Sequence, residues 1–351
     1  MPEIWLAPLH GLIHYHFRNC LFRHYSGFNA AISPFVPVQE TSKLNVRKWK
    51  DLAPENNTSV ELIPQLMGII PAHFGDTMNA LHQEFGYTRF NWNLGCPMAP
   101  IVRKRRGCGL MPYPDEVEAV VEAACVLPYR FSVKMRLGMH SPEEGMEIAQ
   151  RLNQYPLEFV VIHPRLGVQQ YAGVPDWNAL EELLSELRHP VIYSGDVFEV
   201  ADYERLSTRF PQIKTWLLGR GVLRNPRLAE QIQSFASKKG DGSGFNNFCD
   251  DKESLRAGKN EIIRFNEFYE DLRQTLEAYR GANGSLSVLK ELWHYFAHYF
   301  RLTEEQLHSL LIIRDSKEFD KAAKYFMSPD PCNLQPVTCQ LSVFIAEKFS
   351  V

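Results

Sequence analysis

Two segments of the chain repeat charged side chains every second residue, the interval at which an extended strand returns to the same face. In Phe131-Ser-Val-Lys-Met-Arg136, alternation sends Val133 and Met135 to one face and Lys134 and Arg136 to the other. Two cations taken from water on one face cost several kcal/mol without an anion nearby, so the pattern implies a negatively charged or strongly hydrogen-bonding ligand. The plainer alternative puts Arg136 in a solvated loop and pairs Lys134 with an acid of a neighbouring strand. Val160-Val-Ile-His-Pro-Arg165 repeats the interval with His163 and Arg165. A histidine at a strand end is often structural; coming one strand after the lysine and arginine, it is read as part of the same site.

Two glycine-bearing turns, Ser194-Gly195-Asp196 and Gly219-Arg220-Gly221, also end apolar runs and precede helical patterns. Small residues let backbone N–H groups approach an anion, so the pair predicts a phosphorylated cofactor or substrate. Cys96 falls in a Gly-Cys-Pro turn just after Asn91-Trp-Asn-Leu94. It is either a thiol presented by a rigid turn or a small buried hydrophobe, the usual role of free cysteine. Downstream, Arg103-Lys-Arg-Arg106 suits phosphodiester contacts, although such a run can also be a solvated basic loop.

These residues need elements to carry them. Apolar, strand-like runs recur at residues 4–7, 31–34, 62–67, 89–94, 131–135, 159–163, 191–194 and 215–219, with helical patterns between. Among these helices, residues 141–152 are best marked: Ser141 as N-cap, Pro142 in the first turn and Glu144 closing a capping box. Such alternation implies parallel βαβ units and an α/β fold, a (β/α)8 TIM barrel. An open doubly wound sheet is the alternative, disfavoured because no GxGxxG turn follows the first strand. In a barrel, all the residues singled out above sit at C-terminal strand ends, where active sites of this fold lie. The domains predicted are a barrel over 1–236, a linker or surface excursion over 237–260, and a small C-terminal helical domain over 261–351. In the last, Leu286, Leu289, Leu292, Trp293 and Phe296 mark an amphipathic helix.

Composition narrows the class further. At 45% hydrophobic and 23% charged, the 351 residues build an ordinary globular core, which excludes a collagenous or wholly disordered chain. A formal charge of −3 means that any nucleic acid must be held by a local basic patch. The seven cysteines have no CxxC pair and no zinc-like spacing, which predicts no metal and a reduced, cytoplasmic protein. No run is long and apolar enough for a membrane span, and the first residues lack the pattern of a signal peptide.

Taken together, the motifs resemble the tRNA-dihydrouridine synthase family, flavoenzymes that reduce a uridine of tRNA. The resemblance runs from Ala7 to about Arg227: Ala7-Pro8-Leu9 with Gly11 and Phe17-Arg18, Pro64-Gln65-Leu66-Met67-Gly68, Asn93-Leu94-Gly95-Cys96-Pro97, Val133-Lys134-Met135-Arg136-Leu137-Gly138, His163-Pro164-Arg165, Tyr171-Ala172-Gly173, Asp176-Trp177, Ser194-Gly195-Asp196, Gly219-Arg220-Gly221 and Asn225-Pro226. It implies FMN across the barrel mouth, its phosphate on Ser194, Gly195, Asp196, Gly219 and Arg220. The ring would meet Ala7, Pro8, Leu9, Gln65, Lys134 and His163. NADPH would be the reductant and Cys96 the acid that protonates C5 of the uracil, with Asn93, Arg136, Arg165 and Tyr171 holding a tRNA substrate.

The tail, SVLKELWHYFAHYF with Lys290 and Trp293, is similar to that of the bacterial C-type members, which points to uridine 16 of the D-loop. A monomer is expected. The chain departs from the pattern at Ser194, where the family usually has asparagine, at Arg106-Gly-Cys-Gly109, where it usually has small residues, and in a longer linker. Two other readings compete: a class I aldolase with Lys134 as its Schiff-base lysine, and a non-catalytic RNA-binding barrel. The first leaves Cys96, Gln65 and the basic run without a role.

Overall fold

The computed structural model describes residues 1–240 and 251–328. The chain forms two compact units, residues 1–244 and 245–351. In the first, eight strand positions follow one another: β1 (Glu3–Leu6), β2 (Ala30–Ile32), β3 (Glu61–Ile63 and Gln65–Met67), β4 (Arg89–Leu94), β5 (Arg130–Gly138), β6 (Val160–Leu166), β7 (Val191–Ser194) and β8 (Thr215–Leu218). Every pairing is parallel, from β1 on β8 and β2 round to β6 on β7. β3 closes the ring. Its first half pairs with β2 and its second with β4, and Pro64 between them has no N–H to give to a ladder. The Pro64 carbonyl still accepts from the Asn91 N–H at 2.9 Å. The expected (β/α)8 barrel is therefore the fold.

Two strands run further than their apolar cores suggest, β5 to Gly138 and β6 to Leu166. Arg136, His163 and Arg165 are consequently strand residues, with both arginines buried, which removes the solvated-loop alternative for Arg136. A short unforeseen pairing sets Val36–Pro37 against Leu66–Met67.

The helices of this unit are α1 (Tyr15–His24), α2 (Pro71–Phe85), α3 (Ala99–Val102), α4 (Pro114–Cys125), α5 (Pro142–Leu152), α6 (Trp177–Glu186), α7 (Val200–Arg209), α8 (Arg220–Arg224) and α9 (Leu228–Gly240). α5 begins where the sequence marks it, but its capping box is not made. The Ser141 hydroxyl bonds Glu143 instead, and Glu144 reaches past the cap to the backbone N–H groups of Met139 (2.5 Å) and His140 (3.2 Å). Glu144 thus pins the loop that leaves β5.

Alternation decides the barrel interior. Trp5, Ala7, Ala30, Ile32, Ile63, Phe159, Val161, Ile192 and Leu217 form one buried cluster. Fully burying large apolar side chains such as these is worth roughly 1.5–3 kcal/mol each. Two residues further along the same strands come Gln65, His163 and Ser194, buried but polar. An apolar floor therefore gives way to a polar mouth at the C-terminal strand ends.

In the second unit, α10 (Asp251–Tyr299) is broken at Gly281, whose φ is +71°, and is followed by α11 (Glu304–Leu311) and α12 (Ser316–Phe326). Leu286, Leu289, Leu292, Trp293 and Phe296 are buried as their spacing requires, with Trp293 meeting Tyr269 edge to face. α11 was not foreseen, although Thr303 and Gln306 form the reciprocal cap that marks its start. Part of the predicted linker is helical: residues 237–240 end α9 and 251–260 open α10, while 241–250 lie outside the described residues. Lys, Glu, Leu, Arg and Ala in 252–257 are good helix formers, and they outweigh the low apolar content there. Residues 329–351 of the expected helical domain also lie outside the described residues. Among the described residues no helix is long and apolar enough to cross a membrane.

Candidate active site

β4 delivers Asn93 to the mouth and turns at Gly95-Cys96. The Asn93 side-chain oxygen accepts from the backbone N–H of Gly95 at 3.2 Å and of Cys96 at 3.0 Å, while its Nδ2 donates to Gln65 Oε1 at 2.8 Å. Gln65 Nε2 donates to Asn91 Oδ1 at 2.8 Å, Asn91 Nδ2 to Ser132 Oγ at 3.0 Å, and Ser132 Oγ to the Phe90 carbonyl at 3.0 Å. Because backbone N–H groups only donate, they fix which end of Asn93 faces them, and through it the orientation of each amide behind. This oriented row of amides, buried at Gln65 and Asn91 and half-buried at Asn93, braces the cysteine turn.

Cys96 is half-buried. Its carbonyl accepts from Cys108 twice, from the N–H at 3.2 Å and from Sγ at 3.1 Å. Between them Gly107 has φ +56°, and a Cβ there would lie 2.6 Å from the Cys96 oxygen, so only glycine fits. Burial raises the Cys96 pKa, against the pull of the Met98 N–H, Arg136 and Lys134. The group is a protonated thiol at neutral pH, able to act as an acid. Burial also pushes the Cys108 thiol up to about 12, which leaves it a passive neighbour.

Lys134 lies beside Asn93 in the β4–β5 register. Among the described residues its ammonium has neither a hydrogen bond nor an ion pair. Burial and then Arg136 bring its pKa down to about 8, and Cys96 pulls it back. An unpaired lysine held in the mouth is the strongest sign that an electron-rich group belongs there.

The two arginines expected to hold substrate are engaged within the protein. The Arg136 guanidinium donates to the carbonyls of Gly95 (3.0 Å), Leu166 (2.8 Å) and Gln170 (2.7 Å). Arg165 donates to the Gly173 carbonyl at 2.8 Å, to Asp196 Oδ2 at 2.5 Å and to His163 Nε2 at 3.1 Å. An arginine has no acceptor, so His163 Nε2 must accept, which places its proton on Nδ1. Burial first, then Arg136, Lys134, Arg165 and Arg220, hold the His163 pKa well below its usual range. His163 is a neutral donor facing the mouth, and Arg136 and Arg165 are clamps on the loop that carries Tyr171.

The other oxygen of Asp196 accepts from Arg220. A Cβ on Gly221 would meet the Val197 carbonyl at 2.0 Å, and one on Gly219 the Ala7 Cβ at 3.3 Å. The two glycine turns and the end of β1 are thus packed together, with Leu9 at 3.8 Å from the same point and Pro8 half-buried between. Gly195 is held against the Tyr193 hydroxyl, which a Cβ would meet at 2.6 Å. Ser194 is buried at the base of this cradle. Tyr171 is 45% exposed, with Arg220 at 4.5 Å and Arg136 at 5.4 Å over its ring.

Four cations (Lys134, Arg136, Arg165 and Arg220) therefore gather around His163, two of them paired with Asp196. A planar ligand bearing a phosphate, such as a flavin mononucleotide, fits this donor set. Sequence reasoning singled out Cys96, Lys134, His163 and the glycine turns, and the barrel carries them at the C-terminal ends of its strands. It did not single out Asn91, Ser132 and Cys108, which the structure connects to that turn, although the first two share the alternating face of Asn93 and Lys134.

Residues 5–318 match the family described as Dihydrouridine synthase (Dus). The chain is 29% identical over 239 residues to the tRNA-dihydrouridine(16) synthase of Pseudomonas putida, covering 66% of this chain and 73% of the relative. It is also 29% identical over 260 residues to a probable tRNA-dihydrouridine synthase of Rhodobacter capsulatus, covering 70% and 77%, and 26% identical over 248 residues to the tRNA-dihydrouridine(16) synthase of Haemophilus ducreyi, covering 68% and 75%. With the family matched over nearly the whole barrel and most of the helical unit, the chain belongs to the dihydrouridine synthases and is an enzyme of that family.

Proposed function

We propose that the protein reduces a uridine of the tRNA D-loop, uridine 16, to 5,6-dihydrouridine, with FMN as cofactor and NADPH as reductant. The observation that carries this reading is the half-buried Cys96 thiol on a turn braced by Asn93, one strand from the unpartnered Lys134. Bound in the mouth, reduced FMN supplies hydride chemistry at C6 of the uracil. Cys96 holds the proton that C5 requires, and its turn keeps the thiol from swinging away. Lys134 supplies fixed positive charge where an electron-rich ring gathers negative charge. Asp196 aligns Arg165 and Arg220, so the cradle made by Ser194, Gly195, Gly219 and Arg220 meets a phosphate with its geometry already set. Asn93, whose oxygen is committed to the cysteine turn, has one amide hydrogen left for the base. Tyr171, ordered over two guanidiniums and open to solvent, offers a ring for stacking.

Position 16 is favoured by the names of the relatives from P. putida and H. ducreyi. The aldolase alternative accounts for Lys134 but leaves the braced cysteine without a task. Incubating the protein with NADPH and unmodified tRNA, then mapping dihydrouridine by position, tests the reading. Product at position 16 that disappears in Cys96→Ala supports it; a flavin-loaded, NADPH-reducible protein that makes no dihydrouridine on any tRNA overturns it.

A further inference from the structure

His10 and Phe35 stack face to face, ring centroids 4.7 Å apart and planes within 13°. His10 is exposed and Phe35 half-buried. Phe35 covers one face of the imidazole, and His14 lies 6.2 Å away with its ring plane at 67° to that of His10.

Both rings stand on the catalytic side of the barrel. His10 follows the end of β1 by four residues, directly after Leu9 in the wall of the phosphate cradle. Phe35 follows β2 by three. Their backbones are pinned. The N–H groups of Leu12 and Ile13 both donate to the Leu9 carbonyl, at 3.2 and 3.0 Å, which leaves His10 at the tip of a closed turn. Gly11 takes φ +89° there. Phe35 is held by the pairing of Val36 with Leu66 and by the Val38 N–H on the Met67 carbonyl at 2.9 Å. The stack is therefore preorganised, and ordering it costs an incoming ring little. Burial, and then His14, lower the His10 pKa, so the ring is neutral at pH 7.

We propose that the His10–Phe35 stack is a platform for an unpaired nucleobase of the RNA substrate, next to the uridine drawn into the mouth. The proposal rests on the tRNA reading above. Extracting one base from a folded RNA unstacks its neighbour, and an exposed ring at the mouth is a surface that takes up an unstacked base of any identity. Tyr171 already provides one such ring on the β6 side of the mouth; His10 provides a second on the β1 side, where the sequence motifs assign no contact to RNA.

The test compares the wild type with His10→Ala, His10→Phe and His10→Trp, using an unmodified tRNA transcript as probe and reading its Kd across a salt series. Loss of a stacking partner costs about 1–3 kcal/mol per base, so His10→Ala should weaken binding at least about fivefold. The salt slope should stay that of the wild type, because no phosphate contact is removed. His10→Phe and His10→Trp should bind within about twofold of the wild type, since stacking needs only a flat ring. Wild-type binding in His10→Ala, a changed salt slope, or failure of both aromatic variants to rescue would each overturn the platform. So would slowed flavin reduction by NADPH with tRNA binding intact, which would give the ring to the nicotinamide. A wild type that makes dihydrouridine while His10→Ala binds normally sinks the platform alone; a wild type that neither binds nor reduces tRNA sinks the tRNA reading and the platform with it.

Discussion

The side-chain oxygen of Asn93 lies 3.0 Å from the backbone nitrogen of Cys96, and the same oxygen serves Gly95. The Cys96 backbone is thus oriented by an amide three residues back, which is itself held by Gln65. Asn93→Ala would leave those N–H groups and the Gln65 oxygen without partners. Stability should fall by about 1–3 kcal/mol, the cost of stranding buried polar groups, as read by denaturant unfolding. Single-turnover dihydrouridine formation should drop by at least about tenfold, more than the few-fold rise in tRNA Kd that the loss of one hydrogen bond to the base would give.

Cys96→Ala should keep flavin, flavin reduction by NADPH and tRNA binding, and lose product. Stopped-flow reduction and dihydrouridine mapping separate these. Equal product from the variant would remove Cys96 from proton transfer.

Lys134 titrates near 8 in the fold, below the ordinary lysine value. Its charged form is lost as pH rises through about 8, so flavin retention and reduction should decline there in the wild type. The sign for stability is opposite. Between about pH 8 and about 10.5 the unfolded chain binds a proton that the ligand-free fold does not, so stability without flavin rises with pH across that window. Lys134→Met should accordingly raise the melting temperature of flavin-free protein at pH 7 while abolishing flavin retention. A lowered melting temperature would show that the charge is not strained in the empty mouth.

Asp196 bridges Arg165 and Arg220. Asp196→Asn replaces the carboxylate with an amide whose N–H₂ faces one of the two guanidiniums. Removing one partner of a buried pair costs about 3–5 kcal/mol, and the 20% exposure of Asp196 puts this case at the low end. Both melting temperature and flavin content should fall, and unchanged flavin content would take the phosphate away from this cradle.

In the basic run, Arg105 is paired with Glu116, and its guanidinium lies over the Tyr113 ring. Arg103 and Lys104 are exposed. The double reversal Arg103→Glu with Lys104→Glu should weaken tRNA binding and flatten the slope of log K against log salt by about one to two. An unaltered slope would mark the run as a solvated loop.

The sequence by itself determined the barrel, the second helical unit and which polar residues stand at the strand ends, because their signals are local. Strand alternation puts Lys134 and Arg136 on one face, an apolar period of three and four buries Leu289, Leu292, Trp293 and Phe296, and a Gly-Cys-Pro turn follows β4 whatever surrounds it. What each polar residue does was decided by tertiary structure. Arg136 and Arg165 read as ligand-binding cations, yet they turn to carbonyls of the Tyr171 loop and to Asp196. That choice depends on β5, β6 and β7 lying side by side. The brace on Cys96 joins β3, β4 and β5 through Gln65, Asn91, Asn93 and Ser132, and no spacing within one segment encodes it. Likewise His10 and Phe35 are 25 residues apart in the chain and meet only because β1 and β2 are neighbours in the ring. Short-range periodicity fixes which way a side chain points; its partner is fixed by what the closed barrel sets opposite it.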